Sequence, residues 1–253
     1  MKVAAYQAPL LAPGSTDAID VMRDAVQACE SQGVDILCCP EAIVGGLGDY
    51  AGDASAHAIE TSALTHALAP LASDRVTTIV GFTERTTHGV LYNAAAVLHR
   101  GSIAGVYRKR HPAINRSVYA AGTATPVFTM NGLTFGIVIC NDSNHPELAA
   151  DIAARGARAL FVPSNNGMPP EKSYPDLVAD TRRIDAALAS RHRMWVIRAD
   201  VAGCLAGLVS DGASGIVSSD GELVASSPYR IADLLVAEIT PRDASSRMPA
   251  RER

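Results

Sequence analysis

The sequence has no apolar run approaching the roughly 20 residues that a bilayer-spanning helix requires, so no membrane partner is expected. Its five cysteines (Cys29, Cys38, Cys39, Cys140 and Cys204) contain no C-x-x-C pair, and five is an odd number. Neither a disulfide framework nor a zinc ribbon is indicated, and a reducing cytoplasm is the expected setting. Seven histidines are scattered without an H-x-x-x-H pair, so no metal centre is expected. An excess of one charge is missing too: 22 Lys and Arg stand against 26 Asp and Glu, a net charge of -4, which excludes a basic surface for nucleic acid. The opening "MKVAAYQAPLLAPG" lacks the long apolar stretch of a signal peptide. Pro-rich or Gly/Ser-rich linkers and internal repeats are also missing.

What is present is apolar material. Hydrophobic residues make up 48% of the 253 and charged ones 19%, enough for a sizeable core. With no linker, one domain over 1–253 is expected. Its early part reads strand, helix, strand: "KVAAYQ", then "STDAIDVMRDAVQACESQG" with Ser15 and Thr16 to cap it and Gly33 to end it, then "VDILCC". The middle holds strand-like runs at short intervals, "VTTIVGFTE", "LYNAAAVLH" and "SIAGVYRK". Asn131-Gly132 between two further runs is a strong hairpin signal, and Asp220-Gly221 marks a second. A helix is expected near "HPELAADIAARGA", a strand at "ALFVP", a helix at "YPDLVADTRRIDAALASRH" and a strand at "MWVIRAD". Alternating units with hairpins between them suit a mixed sheet system covered by helices.

Three strand-like runs end on reactive side chains. "VDILCCPEA" delivers Glu41, "SIAGVYRKRHP" delivers Lys109, and "FGIVICND" delivers Cys140. Functional groups of helix-covered sheets gather where strands emerge into loops. A thiolate is a strong nucleophile, a carboxylate in reach can take the thiol proton, and an ammonium can hold a developing oxyanion and favour the thiolate. Taken singly, each residue also has an ordinary reading: a buried structural thiol, a solvated carboxylate, a basic loop.

Together they resemble the nitrilase superfamily of carbon–nitrogen hydrolases. "MKVAAYQAP" resembles its opening strand, "CCPEAIVGG" its glutamate segment, "YRKRHP" its lysine segment and "GIVICNDSNHPELA" its cysteine segment. "DGASGIVSSDGELVA" is similar to a late hairpin of that family. The resemblance implies an α/β fold, a four-layer αββα sandwich, and a homo-oligomer. It also implies hydrolysis of a small amide or carbamoyl compound through a cysteine thioester with no cofactor. Glu41 would be the base, Lys109 the stabiliser and Cys140 the nucleophile.

Two departures stand out. Asn115 occupies the place where many members carry a second glutamate; an amide cannot move a proton but can orient a water or a lysine. After Cys140 the chain reads Asn141, Asp142, Ser143, Asn144 where many members have an arginine. Asn115, Asn141, Asn165, Asn166 and Tyr50 are the expected substrate contacts. "GLGDYAG" after Glu41 reads as a flexible active-site loop rather than a dinucleotide turn, and His145 as a capping or turn residue. The tail from about 241 is expected to be loosely ordered or to lie on a neighbouring subunit. Acyl transfer by the same thioester, or a silent binding role on the same scaffold, remain alternatives.

Overall fold

The computed structural model describes residues 1–205 and 207–240; the expectation for the tail lies outside the described residues. The chain begins with β1 (Lys2–Pro9), α1 (Asp17–Gln32) and β2 (Ile36–Cys38), and Gly33 closes α1 in the left-handed conformation expected of it. After β3 (Ile59–Glu60) and α2 (Leu64–Leu68) come β4 (Thr77–Arg85), β5 (Leu91–His99) and β6 (Ser102–Arg108). Next are β7 (Val127–Met130), β8 (Leu133–Ile137), α3 (Pro146–Ala154), β9 (Ala159–Pro163), α4 (Leu177–His192) and β10 (Trp195–Ala199). The described chain closes with β11 (Val201–Leu205), β12 (Leu208–Ser210), β13 (Gly215–Val217), β14 (Leu223–Ser226) and β15 (Asp233–Glu238).

These strands form two sheets. One has the order β12-β11-β1-β2-β4-β5-β6, with β15 antiparallel beside β1; the other has the order β14-β13-β10-β9-β8-β7. Their inner strands are buried on both faces, and side-chain alternation sorts the residues into layers. Val3, Ala5, Ile36, Cys38, Ile79, Ala95 and Val97 of the first sheet meet Phe135, Ile137, Phe161, Ile197 and Ile216 of the second in one shared core. The intervening residues Ala4, Leu37, Val80 and Ala96 face outward onto α1 and α2. Val138, Leu160, Val162 and Val196 face α3 and α4 on the other side. The result is the α/β sandwich of four layers, helix–sheet–sheet–helix. Both hairpins stand where the turn residues put them: Met130 pairs with Leu133, and Asn131 and Gly132 hold φ of 51° and 82° between them. Among the described residues no helix is long and apolar enough to cross a membrane.

The packing has a pH signature. Cys29, Cys38 and Cys39 are fully buried, and burial raises each thiol above its ordinary value, Cys29 to about 12. In the unfolded chain these thiols ionise near their ordinary pKa of roughly 8.5. Above that pH the unfolded state has released protons that the native state keeps, so stability is full below it and falls as pH rises. Urea unfolding at about pH 8 and about pH 10 should show a loss of roughly 1–2 kcal/mol per buried thiol. A flat profile would contradict the burial of these sulfurs.

Candidate active site

β6 runs in the direction of β4 and β2, because it is antiparallel to β5 and β5 is antiparallel to β4. β8 and β9 are parallel to one another in the second sheet. The C-terminal ends of these strands meet at one end of the sandwich. Glu41 leaves β2 three residues past its end, where its amide N–H donates to the Ser164 carbonyl across the two sheets (3.1 Å). Gly81 permits this path, since a Cβ there would stand 2.1 Å from the Pro40 carbonyl and 2.8 Å from Glu41 Cα. Glu41 is 1% exposed. Its Oε1 accepts from Lys109 Nζ at 2.6 Å and from Asn93 Nδ2 at 2.7 Å, and its Oε2 accepts from the Asn165 amide at 3.0 Å. Three donors therefore fix one carboxylate. Lys109 is itself buried, its backbone tied to β5 through a bond from its N–H to the Asn93 carbonyl (2.8 Å).

Cys140 follows β8 by three residues and opens a tight turn over Cys140–Asn144. Its φ is +45°, a conformation that non-glycine residues adopt only under strain. The turn is held from beneath. Asp142 is fully buried and accepts from the Tyr107 hydroxyl (2.6 Å) and from the backbone amides of His111 (2.7 Å) and Ile139 (3.1 Å). Ser143 Oγ donates to the Cys140 carbonyl (2.7 Å) and accepts from Arg198 Nη2 (3.0 Å). Arg198, 2% exposed, is gripped by Asp185 and also donates to Ser164 Oγ (2.6 Å). Opposite the thiol, Asn166 presents Oδ1 4.0 Å from Cys140 Sγ, while its own N–H and Nδ2 donate to the buried Asp200.

These groups open onto a cleft of about 120 Å³ that Glu41, Lys109, Cys140 and Asn93 share. Leu47, Pro112, Ile114, Tyr119 and Met168 supply its apolar wall. Hydrogen bonds join the loop after Glu41 to the 117–119 segment. The Gly48 amide donates to Tyr119 Oη (2.6 Å), and Asp49 accepts from Ser117 Oγ and the Val118 amide. Of the expected substrate contacts, Tyr50, Asn165 and Asn166 line the cleft. Asn115 does not: it is exposed, and its neighbour Ile114 faces inward instead. Asn141 does not line it either: its side-chain amide donates to the His111 carbonyl (3.1 Å) and accepts from Asn144, and with Cys140 and Asn166 it lines an adjoining pocket. Sequence reasoning missed Asn93, Asp142, Arg198 and Asp200. The signal was a polar or charged residue inside or just past an apolar run, as in "LYNAAAVLH" and "WVIRAD".

Burial opposes charge on Lys109, but the Glu41 carboxylate and the neighbouring Cys140 and Asp142 outweigh it and hold the ammonium well above its ordinary value. Burial, then Glu41, push the Cys140 thiol up to about 12, against the lowering pull of Lys109 and Arg198. Lys109 thus pulls in the expected direction, yet Glu41 offsets its charge, and Cys140 is held as a thiol. Burial likewise lifts Asp142 and Asp200 above the ordinary carboxylate value in spite of their hydrogen bonds.

His145 begins α3 but caps it with no side-chain bond; its ring stacks on His111, with centroids 3.5 Å apart and planes 10° apart. With Glu147 the two rings bring ligand atoms within 4.8 Å of one another, the one such group among the described residues that could hold a metal ion.

A buried carboxylate–ammonium pair beside a thiol, at the strand ends of a four-layer α/β sandwich, defines a narrow class of proteins. The chain belongs to the carbon–nitrogen hydrolase family, whose model matches residues 2–247, within the nitrilase superfamily. It is 30% identical to "Hydrolase in pqqF 5'region" of Pseudomonas protegens over 89% of this chain and 78% of that one. It is 26% identical to a nitrilase of Pyrococcus abyssi, over 85% and 80% respectively. Its fold matches an amidase of Nesterenkonia sp. AN1 with a TM-score of 0.82 at 21% identity, over 94% of this chain and 90% of that one. That structure is of a mutant in which the acetamide moiety of fluoroacetamide is covalently added at the active-site cysteine.

Proposed function

We propose that this protein hydrolyses the C–N bond of a small linear amide or carbamoyl compound through a thioester at Cys140. Glu41 takes the Sγ–H proton as sulfur attacks the carbonyl carbon, and the Lys109 ammonium meets the developing oxyanion. The C–N bond then breaks, and the proton on Glu41 passes to the departing nitrogen, which leaves as ammonia or an amine. Water next gives a proton to Glu41 and attacks the thioester; the acid departs and the thiol regains its proton. One observation carries this reading: the Glu41–Lys109 pair, bonded at 2.6 Å, opens onto the same cleft as Cys140. A thiol held at about 12 needs such a base, because it is almost entirely protonated at neutral pH. The small cleft suits a small substrate. The family's activity and the cysteine adduct of the Nesterenkonia amidase point the same way.

Ammonia release from small primary amides, carbamoyl amino acids and nitriles tests this, with quenched samples weighed for an acyl adduct on the Cys140 peptide. Release with an adduct from the amide or carbamoyl set is expected. Release without any adduct on Cys140 would overturn the mechanism.

A further inference from the structure

Asn93 stands in the third position of β5, facing Thr83 of β4, and is 2% exposed. Its Nδ2 donates to Glu41 Oε1 at 2.7 Å. A carboxylate only accepts hydrogen bonds, so the amide must present its nitrogen to Glu41, and the orientation of the side chain is fixed by that chemistry. Oδ1 is therefore the end left over. It is buried and meets no donor. Five buried side-chain atoms among the described residues share that condition, and the others belong to Thr78, Arg182, His192 and Ser227. Only Asn93 among them lines the cleft with Glu41, Lys109 and Cys140. An orphan acceptor in a dry wall is costly, and it is retained where a ligand supplies the donor.

We infer that Asn93 is a substrate contact whose Oδ1 accepts an N–H from the leaving nitrogen of a primary amide or carbamoyl group. The inference rests on the hydrolase reading above and adds to it. In that reading Glu41 delivers its proton to the departing nitrogen, so the nitrogen must come to Glu41. The planar amide of Asn93 touches Glu41 with one end and offers an acceptor with the other. A substrate –NH2 at that place gives one hydrogen to Oδ1 and keeps its lone pair for the proton from Glu41. An ester oxygen or a nitrile nitrogen has no hydrogen to give, so either would leave Oδ1 unpaired. Asn93 thereby selects for N–H-bearing leaving groups.

The test compares kcat/KM for a primary amide and for the methyl ester of the same acid, in wild type, Asn93→Ala and Asn93→Ser. Kcat/KM reports acylation, the step in which only the amide carries the contact. In both variants the amide-to-ester ratio should fall by about 10- to 100-fold, the range that one hydrogen bond to a buried acceptor spans. Asn93→Ser, with its smaller change of volume and retained hydroxyl, keeps the test open if Asn93→Ala fails to fold. Loss of the grip on Glu41 also handicaps the amide, whose nitrogen needs the proton more than methoxide does, so the N,N-dimethyl amide of the same acid is run beside them: it needs the proton but has no N–H to give, and the primary-to-dimethyl amide ratio should fall as well. An unchanged ratio of either kind overturns the inference and leaves the hydrolase reading standing. A wild type that turns over neither substrate overturns that reading, and the inference with it.

Discussion

Cys140→Ala and Cys140→Gly are both expected to lose turnover by at least about 10⁴-fold, since each removes the sulfur that carries the thioester in the proposed mechanism. Their stabilities should differ in an unusual direction. At an ordinary position alanine is more stable than glycine by about 0.4–1 kcal/mol, because glycine has more freedom to lose. Position 140 has φ of +45°, where a side chain costs roughly 1–2 kcal/mol and glycine nothing. Glycine should therefore match or exceed alanine by up to about 1 kcal/mol in urea unfolding. The strain is what turns the chain sharply after β8 and lifts the sulfur into the cleft, with Asp142 and Ser143 holding the turn from below. Retained turnover in either variant would sink the nucleophile assignment. An alanine variant clearly more stable than the glycine one would show that the turn carries no strain worth relieving.

Much of this arrangement is legible in the amino-acid sequence. Side-chain alternation, the Asn131-Gly132 turn and the Pro146 helix start are local signals, and local geometry follows from them. Glu41, Lys109 and Cys140 are legible because strands deliver functional groups at their ends, and three such ends in this order resemble one family. The supporting residues are not. That Asp142 gathers bonds from Tyr107, His111 and Ile139, or that Arg198 reaches Ser143 from β10, depends on which strands lie side by side, and periodicity does not encode that. Asn115 shows the converse. Counting residues places it at a family position, but the loop over 112–119 is set by Tyr119 and Asp49, whose bonds turn Ile114 inward and leave Asn115 in solvent. The thiol's protonation is also out of reach of the sequence, because it depends first on burial and then on how far the Glu41 and Lys109 charges offset one another.

That neutralisation sets the second large effect, which belongs to the Glu41–Lys109 pair. Both side chains are almost wholly buried and their charged atoms lie 2.6 Å apart. Removing one partner strands the other charge in a dry site, a change that costs about 3–5 kcal/mol. Glu41→Gln leaves the ammonium with only neutral neighbours in contact, and Lys109→Met leaves a carboxylate with amide donors alone. Each single variant should therefore be strongly destabilised. The double variant should recover much of the loss, because it buries no unpaired charge and keeps a glutamine that Asn93 and Asn165 can still contact. Activity should show no such recovery: the double variant lacks both the proposed base and the proposed oxyanion partner, each single variant lacks one, and all three should lose at least about 10³-fold. A double-mutant cycle in urea, run beside kcat/KM on one substrate, reads the two quantities together. Non-additive stability with uniformly lost activity is the outcome that a paired, buried catalytic unit requires. Additive stability losses would mean the two charges do not depend on each other. Activity in Glu41→Gln near that of the wild type would remove the carboxylate from the chemistry.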